Sequence, residues 1–168
     1  DEIATIVVQE IQATYPQERV NLIVDAANAL RKVEAPVKRK VSVDEFTALQ
    51  DWQQRFQLLD QIPDPEVEDL PLLEAALADD QMAIRRLATV YLGMIEDVAV
   101  VPALTKALND KSASVRRTAG DCMSDLGLAE FELAMMGALK DKNKLVRWRA
   151  AMYLYETGTE ACLAALHE

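Results

Sequence analysis

Ala107-Leu108-Asn109-Asp110-Lys111-Ser112-Ala113-Ser114-Val115-Arg116-Arg117-Thr118-Ala119 decides how this chain folds, because its skeleton occurs three times. Ala76-Leu77, Asp79, Arg85 and Ala88 stand 31 residues earlier, and Ala138-Leu139, Asp141, Arg147 and Ala150 stand 31 residues later. Working outward, residues 70–100, 101–131 and 132–162 superpose without a gap. A fixed period of this size marks an array in which each copy is one supersecondary unit. A fourth, partial copy opens over residues 163–168, where Leu163-Ala164-Ala165-Leu166 matches Leu70-Pro71-Leu72-Leu73 in character.

Each copy reads as two helices. Leu73, Ala76 and Leu77 recur at spacings of three and four, and Ile84, Ala88, Tyr91, Leu92 and Ile95 mark one face of a longer second helix. Between the two lie the polar turns Asp79-Asp80-Gln81, Asp110-Lys111-Ser112 and Asp141-Lys142-Asn143, with Ser112 and Asn143 predicted as N-caps. Gly127 and Gly158 suit left-handed helix ends, and Pro71 and Pro102 suit first turns. A pair this small cannot bury its apolar stripe alone, so it must stack on its neighbours.

The pattern Ala-Leu-x-Asp-x-x-x-x-Val-Arg-x-x-Ala, as at Ala107 to Ala119, resembles the HEAT-like repeats first associated with phycobilisome bilin lyases, over residues 66–168. The resemblance implies an all-α fold, a right-handed α/α superhelical solenoid with its second helices on the concave side. The front end is expected to supply a helical N-terminal cap. Residues 1–41 read as a helical segment and linker. Residues 42–65 read as a capping helix or degenerate repeat, one long helix over 42–62 opened by the capping box Ser42-x-x-Glu45 and carrying Phe46, Leu49, Trp52, Phe56 and Leu59. Trp52-Gln53-Gln54-Arg55-Phe56, Ile62-Pro63-Asp64-Pro65 and Arg85 through Gly93 are similar to a group of bacillus-type proteins called conserved virulence factor C. That resemblance implies a NifU-like domain ahead of a HEAT-like array, of which this chain would be the helical part.

Composition agrees with helices. Five Gly and six Pro in 168 residues are too few turn formers for a sandwich or barrel. No run of eighteen apolar residues exists to span a bilayer, and the acidic start Asp1-Glu2 is unlike a signal peptide, so a cytoplasmic location is expected. The absence of an initiator Met points to a fragment or trimmed chain. The net charge of −10 opposes binding to a polyanion. That charge is uneven, since residues 101–150 hold nine basic and six acidic side chains.

No catalytic constellation is visible. His167 is the one histidine, Cys122 and Cys162 form no C-x-x-C, and no phosphate-binding glycine loop occurs, so neither a catalytic nor a metal site is expected, nor a cofactor. Asp79, Asp110 and Asp141, each six residues before Arg85, Arg116 and Arg147, are expected to form a structural ladder of charge-assisted hydrogen bonds tying each turn to the next repeat. Second-helix residues off the core stripe form the expected partner surface: Arg86, Arg117, Trp148, Arg149, Met152 and Tyr155, a mix of aromatic, thioether and Arg typical of interfaces. The expected function is therefore a non-enzymatic protein-binding or assembly scaffold with a partner of unknown identity on the concave face. Two alternatives stand beside it. One is an accessory role in a cofactor or iron-sulfur pathway, implied by the bilin-lyase and NifU contexts. The other is nucleic-acid binding through concave Arg residues, as in HEAT-like DNA glycosylases.

Overall fold

The chain divides into two compact units, Asp1–Lys38 and Arg39–Glu168. The computed structural model describes residues 40–159 and Cys162, all in the second unit. The expected helices of residues 1–33, His167 and the opening of the fourth copy lie outside the described residues.

The described residues form eight α-helices and no strand: α1 (Val43–Ala48), α2 (Trp52–Leu59), α3 (Leu70–Ala76), α4 (Met82–Met94), α5 (Val101–Leu108), α6 (Ala113–Leu126), α7 (Glu132–Ala138) and α8 (Lys144–Thr157). Three short 3-10 turns, Val67–Asp69, Val98–Val100 and Ala129–Phe131, lead into α3, α5 and α7. Successive second helices pack on one another, α2 on α4, α4 on α6 and α6 on α8. The result is an all-α repeat solenoid.

Equivalent positions of the copies fill equivalent places in one continuous core. Leu73, Leu104 and Met135 are sealed from solvent, as are Ile84, Val115 and Val146, then Ala88, Ala119 and Ala150, then Leu92, Met123 and Leu154. Val100, Phe131 and Cys162 close each pair from below. The alanine positions allow paired helices to approach closely, and the large residues fill the layers between pairs.

Residues 42–62 form two helices where one was expected. The Ser42 hydroxyl accepts from the Glu45 amide at 3.1 Å, but α1 ends after six residues, and Asp51 restarts the chain by accepting from the amides of Gln53 and Gln54. The segment follows the repeat with one residue missing: Phe46, Leu58 and Ile62 lie 30 residues before Ala76, Ala88 and Leu92 and are buried like them. It is a degenerate helical pair. The apolar spacing from Phe46 to Leu59 fits a straight helix as well as a broken one, because α1 and α2 each bury the same side of that spacing.

Asn143 caps α8 by accepting from Leu145 N–H at 2.9 Å, whereas the Ser112 side chain makes no capping bond. There, Asp110 Oδ1 takes the Ser112 amide at 2.7 Å, so the turn is closed from one residue further back. Gly127 is left-handed at φ 60°, as its position after α6 suggests; Gly158 is instead at φ −71°, and α8 runs into extended backbone. Pro71 and Pro102 occupy the first turns of α3 and α5.

Candidate functional site

Arg85 has two separate attachments. Its Nη1 donates to the carbonyls of Asp79 and Asp80 in its own turn, at 2.9 and 2.8 Å. Its Nε and Nη2 donate to Asp110 of the next repeat at 2.7 and 3.1 Å. Arg116 repeats this geometry, holding the carbonyls of Asp110 and Lys111 and the carboxylate of Asp141 at 2.6 and 2.9 Å. The aspartate six residues before each arginine therefore offers a backbone oxygen, and the carboxylate comes from the following copy.

The carboxylates are fixed by their own turns. Oδ1 of Asp79, Asp110 and Asp141 accepts the amide two residues on, from Gln81, Ser112 and Asn143, at 2.8, 2.7 and 2.7 Å. These fork-shaped pairs are nearly covered, with side-chain exposures of 5% and 10% for Arg85 and Asp110. At Asp141 the hydrogen bond from Arg116 leads in holding the carboxyl below its usual range, against burial. At Asp110 burial pushes the carboxyl up most, and the bonds from Arg85 and the Ser112 amide together outweigh it, leaving it lowered.

A further rung comes from a residue that pattern matching missed. Arg55 donates Nη1 to the carbonyls of Leu49 and Gln50, and Nε and Nη2 to Asp79 at 2.7 and 3.2 Å. Leu49 stands where the later copies have aspartate, and the 30-residue spacing to Arg85 breaks the 31-residue period, so the column is visible only after a one-residue shift. At the other end Arg147 donates Nη1 to the carbonyls of Asp141 and Lys142 at 2.8 and 3.2 Å, and among the described residues no carboxylate meets its Nε and Nη2.

The second-helix face holds the remaining expected residues. Arg86, Arg117 and Trp148 occupy one column, all exposed, with Trp148 at 56%. Arg149 lies with its guanidinium carbon 5.3 Å from the Trp148 ring centroid and forms an ion pair with Asp121 of α6 at 2.6 Å. Gly120 makes room for that reach, since a Cβ there would lie 3.2 Å from Arg149 Cγ. Met152 is half-buried in the column of exposed Val90.

Tyr155, 73% exposed, belongs to a different neighbourhood. Its column contains Gly93 and Ser124, and Gly93 lies under the following helix, where a Cβ would be 2.6 Å from Cys122 Cβ. Tyr155 thus faces along the array rather than out of it.

Chemistry is sparse. Among the described residues no group of three or more His, Cys, Asp or Glu is placed to hold a metal, and no helix is long and apolar enough to cross a membrane. Burial pushes the Cys122 thiol up to about 12, helped by Asp125 and Asp121. An open hollow of about 550 Å³ beside Glu68 and Glu96 also contains Asp97, whose carboxylate caps Ala99 N–H.

Residues 54–124 and 102–168 match the profile of HEAT repeats. The chain is 44% identical over 106 residues to conserved virulence factor C of Staphylococcus aureus (strain MRSA252), covering 61% of this chain and 28% of that protein. It is 50% identical over 101 residues to the uncharacterized protein YpgR of Bacillus subtilis (strain 168), covering 57% of this chain and 26% of that one. The chain thus spans little more than a quarter of the length of these curated relatives.

Proposed function

The chain belongs to the HEAT repeat family, and from that premise we propose that it is a non-enzymatic scaffold holding a protein partner against the concave face of its second helices. The observation that carries this reading is the exposed column Arg86, Arg117, Trp148, flanked by Arg149 and Met152. A rigid indole at half exposure beside three guanidinium groups suits a partner segment that carries carboxylates around an apolar anchor. Arg86 and Arg117 stay exposed although a following repeat packs against each of their helices, so the column is a feature of the array's side. Tyr155 joins this surface only where nothing stacks on α8.

The experiment is capture from a lysate on immobilised chain, wild type beside Trp148→Ala and the pair Arg86→Glu, Arg117→Glu. Partners lost from both variants, at unchanged melting temperature, support the reading. Identical capture by all three overturns it. A parallel titration with duplex DNA at low salt tests the nucleic-acid alternative, for which no binding is expected.

A further inference from the structure

Arg147 is prepared for a partner it does not meet among the described residues. Its Nη1 is clamped by two carbonyls of its own turn, as in Arg55, Arg85 and Arg116, and in each of those three the clamp aims Nε and Nη2 at an aspartate of the next helical pair. The clamp fixes the fork before the carboxylate arrives, so little ordering remains to be done. Beside it, α8 presents Ala151 and Tyr155, whose equivalents Thr89 and Gly93 on α4 are covered by α6. One end of the array therefore offers a fork for a carboxylate and, one helix away, the surface on which a second helix stacks.

We propose that the end face formed by Arg147, Ala151 and Tyr155 is a docking site for one more helical pair of the same kind, following Cys162 in the same polypeptide and bearing an aspartate in its inter-helix turn. Three features of the molecule select this occupant. The contact continues an interface already made three times, by Arg55, Arg85 and Arg116 with the next turn. The sequence from Leu163 re-enters the repeat in register, and the matched relatives are more than three times as long as the stretch they share with this chain. A second copy of the chain does not fit: its first described turn has Leu49 where the fork requires aspartate. The inference is independent of what the column at Trp148 binds, because that column stays on the open side when a pair is added.

The test completes the fourth pair. Residues 163–168 correspond to 132–137, so appending a copy of residues 138–162 after Glu168 places a new aspartate 25 residues beyond Arg147, the separation of Arg116 from Asp141. Arg147→Ala is made in the 168-residue chain and in the extended one, which is also made with asparagine at the new aspartate. Tyr155 is followed by nitration with tetranitromethane. In the extended chain the substitution is expected to lower the melting temperature by about 10 °C, as at a filled rung, against no more than about 3 °C in the original chain. Nitration of Tyr155 should slow at least tenfold on extension, and asparagine at the new turn should reproduce most of the Arg147→Ala loss. Equal losses in the two chains, or unchanged nitration in an extension that adds helix by circular dichroism, overturn the proposal. An extension that adds no helix overturns it too, since the appended residues fold as a pair in their own position. A concentration-dependent dimer of the 168-residue chain that Arg147→Ala abolishes would assign the face to a second copy instead.

Discussion

Arg116→Ala tests the ladder most directly, with Arg117→Ala as its neighbour control. Arg116 is nearly covered, with 6% of its side chain exposed, and ends four hydrogen bonds: two to Asp141 and two to the carbonyls of Asp110 and Lys111. Removing it leaves Asp141, 11% exposed, charged and without its counter-ion. Breaking a covered pair from one side costs about 3–5 kcal/mol. Arg117 is exposed, and its removal should stay within about 0.5 kcal/mol. For a unit of this size each kcal/mol lowers the midpoint by about 3 °C, so Arg116→Ala should melt about 10 °C lower and Arg117→Ala within about 2 °C of wild type. Differential scanning calorimetry of the three proteins at neutral pH decides it. Equal shifts would refute the argument that rungs, rather than general surface charge, hold adjacent repeats in register.

Three further outcomes follow from the same geometry. Asp110 and Asp141 titrate below their unfolded values, so their contribution is whole above about pH 4 and is lost as pH falls through the lowered folded values; urea titrations between about pH 4 and pH 2 should therefore show a flatter loss of stability in Asp141→Asn than in wild type. Gly93→Ala forces a Cβ against Cys122 of the neighbouring helix and should cost about 1–3 kcal/mol by chemical denaturation, with Cys122→Ala restoring only part, since the Cβ-to-Cβ distance of 2.6 Å remains. With its thiol at about 12, Cys122 is thiolate in about one molecule in ten thousand at pH 8, so alkylation there by iodoacetamide should be slow in the folded chain and rise sharply in denaturant. Fast labelling of Cys122 without unfolding would contradict the burial described.

What the sequence made legible was the part that repeats. Five identical columns at a constant spacing gave the helical pairs, the core positions and the residues of the ladder, because a solenoid places equal spacing in equal surroundings. Two things escaped. Arg55 and the break after Ala48 were hidden by one missing residue and by Leu49 in an aspartate column: a periodic pattern reports a degenerate unit poorly, and helix periodicity continues through a short interruption. The partnering within the ladder was also ambiguous. A six-residue separation within a copy and a 25-residue separation between copies are both compatible with contact, and only the placement of the turns shows that Arg85 reads its own carbonyls and its neighbour's carboxylate. On the second-helix face, Trp148 and Tyr155 share a helical side in sequence, but their counterparts Arg117 and Ser124 differ in how far the next helix covers them.

The aspartate that accepts the arginine also closes its own turn through the amides of Gln81, Ser112 and Asn143. Each of those amide protons is therefore a local gauge of one junction between neighbouring pairs. Deuterium can enter at Ser112 only when Asp110 lets go, and Asp110 is held by Arg85 across the junction. Exchange rates read at three backbone positions would give the order in which the array comes apart, one boundary at a time, without a label or a probe residue being added.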